Sequence, residues 1–371
     1  MPPSLTILGP VPPPFGGVSI HIVRMRRLLE AMGVRTEVIP YTGLRQESIA
    51  SKLLQAVGML VRIPFRVLSR RPDVLHIHYG GMGFFLALSP LLAGYRGRLV
   101  LTFHSVRVLQ DLAHLPAPLR PAARRLLRQA DLFVCVRPGI AEELAQGGLD
   151  GVPATVMPAF LPPAADEADI SRLPADLAQR LRKRAENGVL QVACAAYYLG
   201  PGYGRDDLYG VEALVKALAC LDGDLSRPLV LYVLVSNPAT SEERRAAEQR
   251  IVETAIGLRL VTVEIHQGIP LIPLLARCAG FLRPSREDGD SVAVREALAL
   301  GVPVLASDVV PRPAGVSLCR LEPPADFADT LGRFLAELTP WAGTGPRPVR
   351  EQEGGELMRF AHLLVDGGTG N

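Results

Sequence analysis

Residues 283–307 read RPSREDGDSVAVREALALGVPVLAS, which predicts a loop, a helix and a strand in succession. A helix that is apolar all round is typical of a protein core. Gly301 and Pro303 end the predicted helix, and residues 304–306 begin a short apolar strand. We therefore expect the helix to be buried, because apolar side chains cover almost every side of it: Val292, Ala293, Val294, Ala297, Leu298 and Leu300.

One acidic residue, Glu296, lies inside this apolar helix. A carboxylate in a dry core needs partners. Residues 288–291, Asp-Gly-Asp-Ser, place flexible backbone and a Ser or Asp cap at the helix N-terminus, where the backbone N–H groups and the helix dipole favour an anion. The arrangement suits a nucleotide diphosphate whose ribose hydroxyls donate to Glu296. The alternative is a capped core helix in which Glu296 pairs with an arginine, and the local sequence favours neither.

The same segment resembles the carboxylate–seven residues–carboxylate signature of the retaining glycosyltransferases of family four, which have the GT-B fold. The resemblance implies that Asp288 lies near the donor sugar and that Glu296 holds the nucleotide ribose. The family more often has Glu at the first position, so the shorter Asp288 can shift which sugar hydroxyl is contacted. The resemblance also implies that the helix N-terminus stabilises the leaving diphosphate through Gly289, Asp290, Ser291 and Val292.

The composition indicates a globular protein with two domains. A chain of 371 residues exceeds the usual size of a single core. Hydrophobic residues make up 48% and charged residues 21%, which excludes general disorder. The net charge of +3 is too small to indicate a nucleic-acid partner. Scattered cysteines, the lack of a signal peptide and the lack of an apolar run of about 18 residues predict a cytoplasmic protein, either soluble or attached to a membrane surface.

Strand and helix signals alternate through both halves of the chain, as in a parallel sheet covered by helices. The predicted strands are 5–8, 36–39, 74–77, 99–103 and 132–136 in the first half, and 189–195, 229–235, 261–265, 280–282 and 302–306 in the second. Together with the resemblance, this predicts an α/β protein of the GT-B fold with two Rossmann-like doubly wound domains facing a central cleft. Ligands of such sheets bind beyond the carboxyl ends of the strands.

Domain boundaries follow from proline-rich and irregular segments. Residues 157–163 read MPAFLPP, a natural hinge that resembles the interdomain linker of the family. We predict an N-terminal, acceptor-side domain at 1–160, a linker at 157–186 and a C-terminal, donor-side domain at 187–340. A C-terminal helix within 355–371 is expected to complete the first domain.

A glycine-rich turn follows the first strand. In PPPFGGVS (residues 12–19), bare backbone at Gly16 and Gly17 can approach a phosphate at the start of the next helix. A simple tight turn is the alternative. The turn resembles the family's loop that faces donor and acceptor, and the resemblance extends to His21 on the acceptor side.

Histidines end two further strands of the first half. Residues 101–105, LTFHS, resemble the Thr-x-His element of the family, which implies that His104 contacts the donor sugar and organises the transition state. Residues 73–78, DVLHIH, resemble a strand motif of the family, and we place His78 and Tyr79 on the acceptor side. His76 and His78 alternate on one face, as zinc ligands do, but the sequence offers no third ligand. We expect no metal.

The loop after the first strand of the second half, residues 197–210, resembles an Arg-x-x-x-x-Lys-Gly element in which two cations grip the donor diphosphate. Arg205 can fill the arginine role through a bidentate phosphate contact. The lysine is missing, because Tyr209 precedes Gly210. Either an arginine from elsewhere, such as Arg283 or Arg286, compensates, or the enzyme is slow or dependent on a partner.

Residues 51–71 are apolar and basic without a single acid. One interpretation is an ordinary surface helix with a core-facing stripe. The other is docking on an anionic membrane at the inner face of the cell membrane, because basic amphipathic segments bind at that interface. Docking would suit an acceptor carried on a lipid.

The sequence as a whole predicts a retaining, metal-independent glycosyltransferase. It would need no cofactor, with a nucleotide-diphosphate sugar as co-substrate and a sugar or lipid-linked acceptor, in bacterial polysaccharide or glycolipid assembly. Two alternatives remain. A non-catalytic nucleotide-sugar-binding subunit is consistent with the missing lysine, and a GT-B sugar-nucleotide 2-epimerase would need further acid/base carboxylates that the sequence does not identify.

Overall fold

The computed structural model describes residues 3–13, 15–41, 49–202, 204–237, 241–288, 290–341, 347 and 363–364, with the backbone alone for 49–57 and 165. Contacts between residues divide the chain into two compact units. The first unit comprises Met1–Pro12, Val18–Leu161 and Glu353–Asn371. The second comprises Pro13–Gly17 and Pro162–Gln352.

A six-stranded parallel sheet forms the centre of the first unit. Its strands are β1 (Ser4–Gly9), β2 (Arg35–Pro40), β3 (Val74–His78), β4 (Arg98–Phe103), β5 (Leu132–Cys135) and β6 (Ala154–Val156). The spatial order is β2-β1-β3-β4-β5-β6, so the direction of winding reverses between β1 and β3. The crevice outside the carboxyl ends of these two strands is where doubly wound sheets bind ligands.

Helices connect these strands. They are α1 (Gly17–Ala31), α2 (Ile49–Arg70), α3 (Met82–Ala87), α4 (Ser89–Gly94), α5 (Arg107–His114), α6 (Arg120–Leu127) and α7 (Pro138–Leu144), with short turns at Ala117–Leu119 and Ala145–Leu149. On α1, residues Ile22, Met25 and Leu29 recur at helical spacing and are fully buried in the sheet's core. The described C-terminal residue Leu364 is buried in that core as well.

The second unit is built on another six-stranded parallel sheet. Its strands are β7 (Leu190–Ala196), β8 (Leu229–Val235), β9 (Val261–Gln267), β10 (Gly280–Arg283), β11 (Val304–Ser307) and β12 (Val316–Cys319). Counted from β7, the order β12-β11-β10-β7-β8-β9 is the 3-2-1-4-5-6 order of a dinucleotide-binding sheet. The winding reverses between β7 and β10, so the carboxyl ends of these strands mark the expected ligand crevice.

Helices also cover this sheet. They are α8 (Ala175–Glu186), α9 (Val211–Leu221), α10 (Glu242–Ala255), α11 (Leu271–Leu275), α12 (Val292–Ala299) and α13 (Pro324–Glu337), preceded by short turns at Ala165–Ala168 and Ile170–Arg172. Alternate residues of β7 belong to different cores. Leu190, Val192 and Cys194 pack on one face of the sheet, and Ala193 packs on the other.

The structure confirms the predicted α/β class with two doubly wound parallel sheets. Each predicted strand is present within two residues at its ends, and the helix of the opening segment is α12. The sequence analysis missed β6 and β12, which are the outer strands of the two sheets. Apart from residues 363–364, the predicted helix within 355–371 lies outside the described residues.

Candidate functional site

The loop between β10 and α12, residues 284–291, carries the predicted cap and the first acid of the signature. Ser291 occupies the N-cap position of α12, but its side chain makes no capping hydrogen bond, so the predicted capping interaction is wrong. The carboxylate of Asp290 accepts a 2.6 Å bond from Nε of Arg295. Gly289 lies outside the described residues.

Glu296 lies in the middle of α12, and 5% of its surface is exposed. Its neighbours Val294 and Ala297 belong to the hydrophobic core that also contains Ala193 of β7. Val292, in the first turn of the helix, is also buried. The expected burial of this acid is therefore observed. Its role toward a ribose remains a prediction.

Asp288 lies between two arginines. Its carboxylate accepts hydrogen bonds from Nε and Nη2 of Arg283 at 3.1 and 2.9 Å, and from Nη1 of Arg312 at 2.8 Å. Ser285 Oγ donates a further bond of 3.1 Å. The Asp288 and Arg312 side chains are 7% and 3% exposed, so this is a buried ion cluster. Two arginines, Arg283 and Arg312, thus pair with the first acid of the signature, Asp288.

The electrostatics of this cluster follow from its geometry. Burial alone would raise the pKa of Asp288, but the charges and hydrogen bonds of Arg283 and Arg312 outweigh burial and lower the pKa to about 2. The same attraction raises the pKa of Arg283 above its usual value despite burial. At neutral pH two guanidinium groups therefore share one carboxylate.

Arg283 lies beside Tyr209, the residue that stands where the resemblance led us to expect a lysine. Its guanidinium carbon lies 5.0 Å from the centre of the Tyr209 ring, within the range of a cation–π contact. Nη1 of Arg283 donates a 2.6 Å bond to the carbonyl of Ala195 near the end of β7. A positive charge is thus held beside Tyr209, although it comes from β10 rather than from position 209.

Arg205 lies in the loop between β7 and α9. A two-residue bridge with Gly202 shapes this loop, and Arg205 lines a cavity of about 550 Å³. Arg244, also in the cavity wall, stacks 3.7 Å above the Tyr198 ring. Acidic residues line the same cavity, Asp206 and Glu243. The wall therefore carries charges of both signs.

The glycine pair of the first turn belongs by its contacts to the second unit. A Cβ atom added at Gly16 would lie 3.4 Å from the Tyr197 ring, and one added at Gly17 would lie 3.5 Å from Val292. Both are ordinary van der Waals distances, so among the described residues no steric demand explains glycine at either position. Contact with a ligand remains a prediction for both.

Four histidines meet at the carboxyl edge of the first sheet, on either side of the β1–β3 crevice. Nδ1 of His78 lies 2.9 Å from Nε2 of His104. The His21 ring lies 5.5 Å from both of these rings, and the His76 ring lies 4.6 Å from that of His78. The structure thus brings together the predicted residues His21, His78 and His104, and adds His76.

Burial keeps these imidazoles neutral. Loss of hydration lowers the pKa of His21 to about 4, against an opposing hydrogen bond to the Ala159 carbonyl. It lowers the pKa of His76 to about 3. For His78 and His104, burial and then the neighbouring histidines hold the pKa well below its usual value. Protonation of His21, His76 or His78 would place an unpaired charge in the core.

Tyr79 follows His78 directly. Its hydroxyl donates a 2.8 Å bond to Asp111, which also accepts from the backbone of Met82 at 3.1 Å. Burial, followed by the Asp111 carboxylate, raises the pKa of Tyr79. The hydroxyl is therefore a permanent donor that orients this loop, and its acceptor-side role remains a prediction.

Sequence reasoning did not identify Arg312 or the contribution of His76. Arg312 lies between Pro311 and Pro313 just after β11, and a lone arginine at the carboxyl edge of a strand is the signal that could have found it. For His76, the strand motif favoured a structural or cleft-edge role over metal binding but did not indicate its partners. Within the described part of the chain, no group of three or more His, Cys, Asp or Glu residues is placed to hold a metal ion.

Each half of the chain matches a known family of glycosyltransferases. Residues 15–164 match the family Glycosyltransferase Family 4, and residues 203–337 match the family Glycosyl transferases group 1. The search of curated proteins found no match at a significant level.

Solved structures with the same fold span nearly the whole chain. They include a glycosyltransferase from Rickettsia africae (TM-score 0.64, 13% identity, covering 90% of this chain and 88% of that one). A sucrose-phosphate synthase from Thermosynechococcus elongatus has a TM-score of 0.60 and 17% identity and covers 90% of both chains. An alpha,alpha-trehalose-phosphate synthase (UDP-forming) from Burkholderia xenovorans has a TM-score of 0.63 and 12% identity and covers 90% of this chain and 92% of that one. With both halves assigned and the fold shared, the protein belongs to the GT-B glycosyltransferases, which transfer a sugar from a nucleotide sugar.

Proposed function

We propose that the protein transfers a sugar from a nucleoside diphosphate sugar to an acceptor hydroxyl with retention of configuration and without a metal. The observation that carries the proposal is the burial of Glu296 in α12, behind a helix N-terminus at the carboxyl edge of β10. A buried acid at this edge suits a ribose whose two hydroxyls donate to it.

The reaction would break the bond between the anomeric carbon and the diphosphate oxygen and form a bond from the same carbon to the acceptor oxygen. The diphosphate leaves on the face that the acceptor approaches, and its oxygen takes the acceptor proton. The task of the protein is then positioning and electrostatic stabilisation. We assign the leaving charge to Arg205, Gly16, Gly17 and the α12 N-terminus, and the donor sugar to Asp288 and His104.

Two observations support a nucleotide sugar as donor. Arg283 and Arg312 share only the Asp288 carboxylate among the described residues, which leaves an excess positive charge at the ligand edge of the second sheet. The Burkholderia xenovorans relative in fold is described as UDP-forming and was solved with glucose-6-phosphate. The excess charge suits a diphosphate, and the relative supports a sugar acceptor, which we place in bacterial polysaccharide or glycolipid assembly.

Thermal unfolding with uridine, guanosine and adenosine diphosphate sugars tests the donor site. We expect one of them to stabilise the protein, by about 2.7 kcal/mol at a hundred times its dissociation constant. In Glu296→Gln the loss of charged hydrogen bonds should weaken binding by about tenfold or more. Glu337→Gln, at the exposed end of α13, is the matched control and should bind as the wild type does.

The outcomes separate the candidate functions. Binding together with sugar transfer supports the enzyme. Binding without transfer or donor hydrolysis would favour the non-catalytic subunit, which Tyr209 in place of a lysine already suggests. No stabilisation by any nucleotide sugar would overturn the proposed function.

A second part of the proposal concerns location. On α2, three apolar side chains at spacings of four and three residues are exposed: Val61 at 66%, Phe65 at 71% and Leu68 at 52%. Such spacing places them on one face of the helix, while Ile63 and Val67 are buried and anchor the opposite side. Within the described residues, none of the helices has the length and apolar composition needed to cross a bilayer.

The charges around this face favour an anionic lipid surface. Arg62 and Arg71 have no carboxylate partner among the described residues, and residues 51–71 contain no acid. Arg66 and Arg70 lie 3.5 and 3.4 Å from Glu37. Exposed apolar side chains beside basic ones are the composition of a helix that lies in a membrane interface. We therefore propose peripheral attachment at the cytoplasmic face, where a lipid-linked acceptor would be presented.

Vesicle flotation tests this attachment. The wild type should bind vesicles rich in phosphatidylglycerol and should bind phosphatidylcholine vesicles far less. In Phe65→Glu, binding should fall about tenfold or more. The aromatic ring that would be buried in the lipid is replaced by a negative charge, which the anionic surface repels. Ile256→Glu, a position exposed to 73%, is the matched control and should leave binding unchanged. Equal binding of Phe65→Glu and wild type would contradict attachment through this face.

A further inference from the structure

The four histidines at the carboxyl edge of the first sheet have few partners, so their hydrogen bonds constrain which ring nitrogens carry protons. His21, His76 and His78 are at most 1% exposed. Each has one ring nitrogen with no hydrogen-bond partner among the described residues: Nε2 of His21, Nδ1 of His76 and Nε2 of His78. A neutral imidazole has one N–H and one lone pair.

The proton of His21 can be assigned first. Its Nδ1 lies 2.7 Å from the carbonyl oxygen of Ala159. A carbonyl oxygen only accepts, so the proton of neutral His21 is on Nδ1. The unpartnered Nε2 then carries a lone pair. At this site the core accommodates an unpartnered acceptor and avoids an unpartnered donor.

The same preference assigns His76. Its Nε2 lies 2.6 Å from Oγ1 of Thr102, a hydroxyl that can donate or accept. Orphaned buried N–H groups are rarer than unpaired acceptors, and each buried unsatisfied group has a cost. The proton of His76 is therefore on Nε2, and the buried Nδ1 carries the lone pair.

His78 and His104 share one hydrogen bond, Nδ1 to Nε2 at 2.9 Å, with two possible directions. If His104 donated, neutral His78 would carry its proton on the buried, unpartnered Nε2. If His78 donates from Nδ1, only a lone pair is left unpartnered, as in His21 and His76. The second direction is favoured. His104 then accepts at Nε2 and carries its own proton on Nδ1.

We infer that His78 is a positioning residue that fixes His104 in the Nδ1–H tautomer, so that His104 offers a hydrogen-bond donor rather than a proton-accepting lone pair to its ligand. Nδ1 of His104 makes no hydrogen bond to the described residues, so it is the nitrogen available to a ligand oxygen. This inference rests on the proposed function only in taking that ligand to be the donor sugar. It assigns His104 to orienting and stabilising the sugar by donation, and not to removing the acceptor proton.

The tautomer can be measured directly in the full-length protein. Histidine labelled with ¹⁵N gives distinct two-bond ring correlations for the two tautomers, and the His104 signals are identified by their loss in His104→Gln. At pH 7.5 we expect His104 to be protonated on Nδ1. A wild-type spectrum with the proton on Nε2 would overturn the inference, whether or not any sugar is transferred.

Two variants test the positioning role. In His78→Asn, the amide nitrogen can occupy roughly the place of Nδ1 and donate to His104, so the tautomer and most of the activity should be kept. In His78→Leu the hydrogen-bond donor to His104 is lost, so both tautomers of His104 should be populated. We expect kcat to fall about tenfold, which is the rate change that corresponds to the loss of one hydrogen bond. Equal tautomer populations and equal kcat in the two variants would contradict the inference. If the wild type neither binds nor transfers sugar, the proposed function fails while the tautomer measurement remains valid.

Discussion

Lowering the pH from 7 to 5 is expected to destabilise the protein by about 2 kcal/mol for each histidine that stays neutral in the folded state. Burial lowers the pKa of His21 to about 4 and that of His76 to about 3, and it holds the pKa of His78 and His104 well below the usual value. The unfolded chain binds protons at these residues below about pH 6.5, whereas the folded protein does not. Stability therefore rises with pH through this window and levels off above about pH 7.

Carboxylates contribute in a different window. Interactions with His266 and with Arg184 and Arg180 outweigh burial and lower the pKa of Glu264 to about 2, and Asp288 has a similar value. Both acids are ionised in the folded state and largely ionised in the unfolded state at pH 5, so their contribution is lost only as the pH falls from about 5 toward 2. The loss expected between pH 7 and 5 therefore comes from the histidines rather than from Glu264 or Asp288.

Urea unfolding at pH 7, 6 and 5 measures this loss. In His76→Gln, whose amide nitrogen can replace Nε2 beside Thr102, one titrating group is absent and the pH dependence should be shallower by about one proton. The control is His114→Gln, because His114 is exposed on α5 and bonds only to the Gln110 carbonyl of its own helix. Its pH dependence should match that of the wild type. A free energy of unfolding that is constant between pH 7 and 5 would mean that these four imidazoles titrate freely in the folded protein.

The sheets of this protein were predictable because their central strands are buried on both faces. Strand β8 is entirely buried and reads LVLYVLV, and such a continuous apolar run is the sequence signature of a strand buried on both faces. The sequence did not predict strands β6 and β12, because they are short and partly exposed. They have three and four residues, lie at sheet edges and expose side chains such as Val156 and Leu318, so neither length nor apolar pattern marks them.

The sequence predicted individual residues of the candidate sites, but it did not predict which side chains contact one another. His78 and His104 follow strands, and a doubly wound sheet brings the carboxyl ends of neighbouring strands together, so their proximity could be expected. His76 shares one face of β3 with His78, as their alternation predicts. That His21 would join them depends on the packing of α1 against the sheet, which local sequence does not specify. The position of Asp288 was likewise evident, while its partner Arg312 comes from a different loop, 24 residues further along the chain.

Replacing Asp288 is expected to destabilise the second unit strongly. In Asp288→Asn, the guanidinium groups of Arg283 and Arg312 lose their shared carboxylate while their side chains remain 11% and 3% exposed. Breaking a buried ion pair from one side leaves an uncompensated charge and typically costs about 3–5 kcal/mol. Urea unfolding at pH 7 gives the free energy directly. Asp329→Asn, at an exposed position of α13, is the matched control and should change it by less than about 0.5 kcal/mol.

A double-mutant cycle with Arg312→Met shows whether the cost comes from stranded charge. Arg312 donates to Asp288, to the carbonyl of Ser307 at 2.9 Å and to its hydroxyl at 3.3 Å, so Arg312→Met alone should also be destabilising. Once Asp288 is neutral, however, removing Arg312 also removes an unpaired buried cation. The double variant should therefore be more stable than the sum of the single losses implies, by about 1–3 kcal/mol. Additive losses would mean that Asp288 and Arg312 are not energetically coupled and that stranded charge is not the cause of the loss.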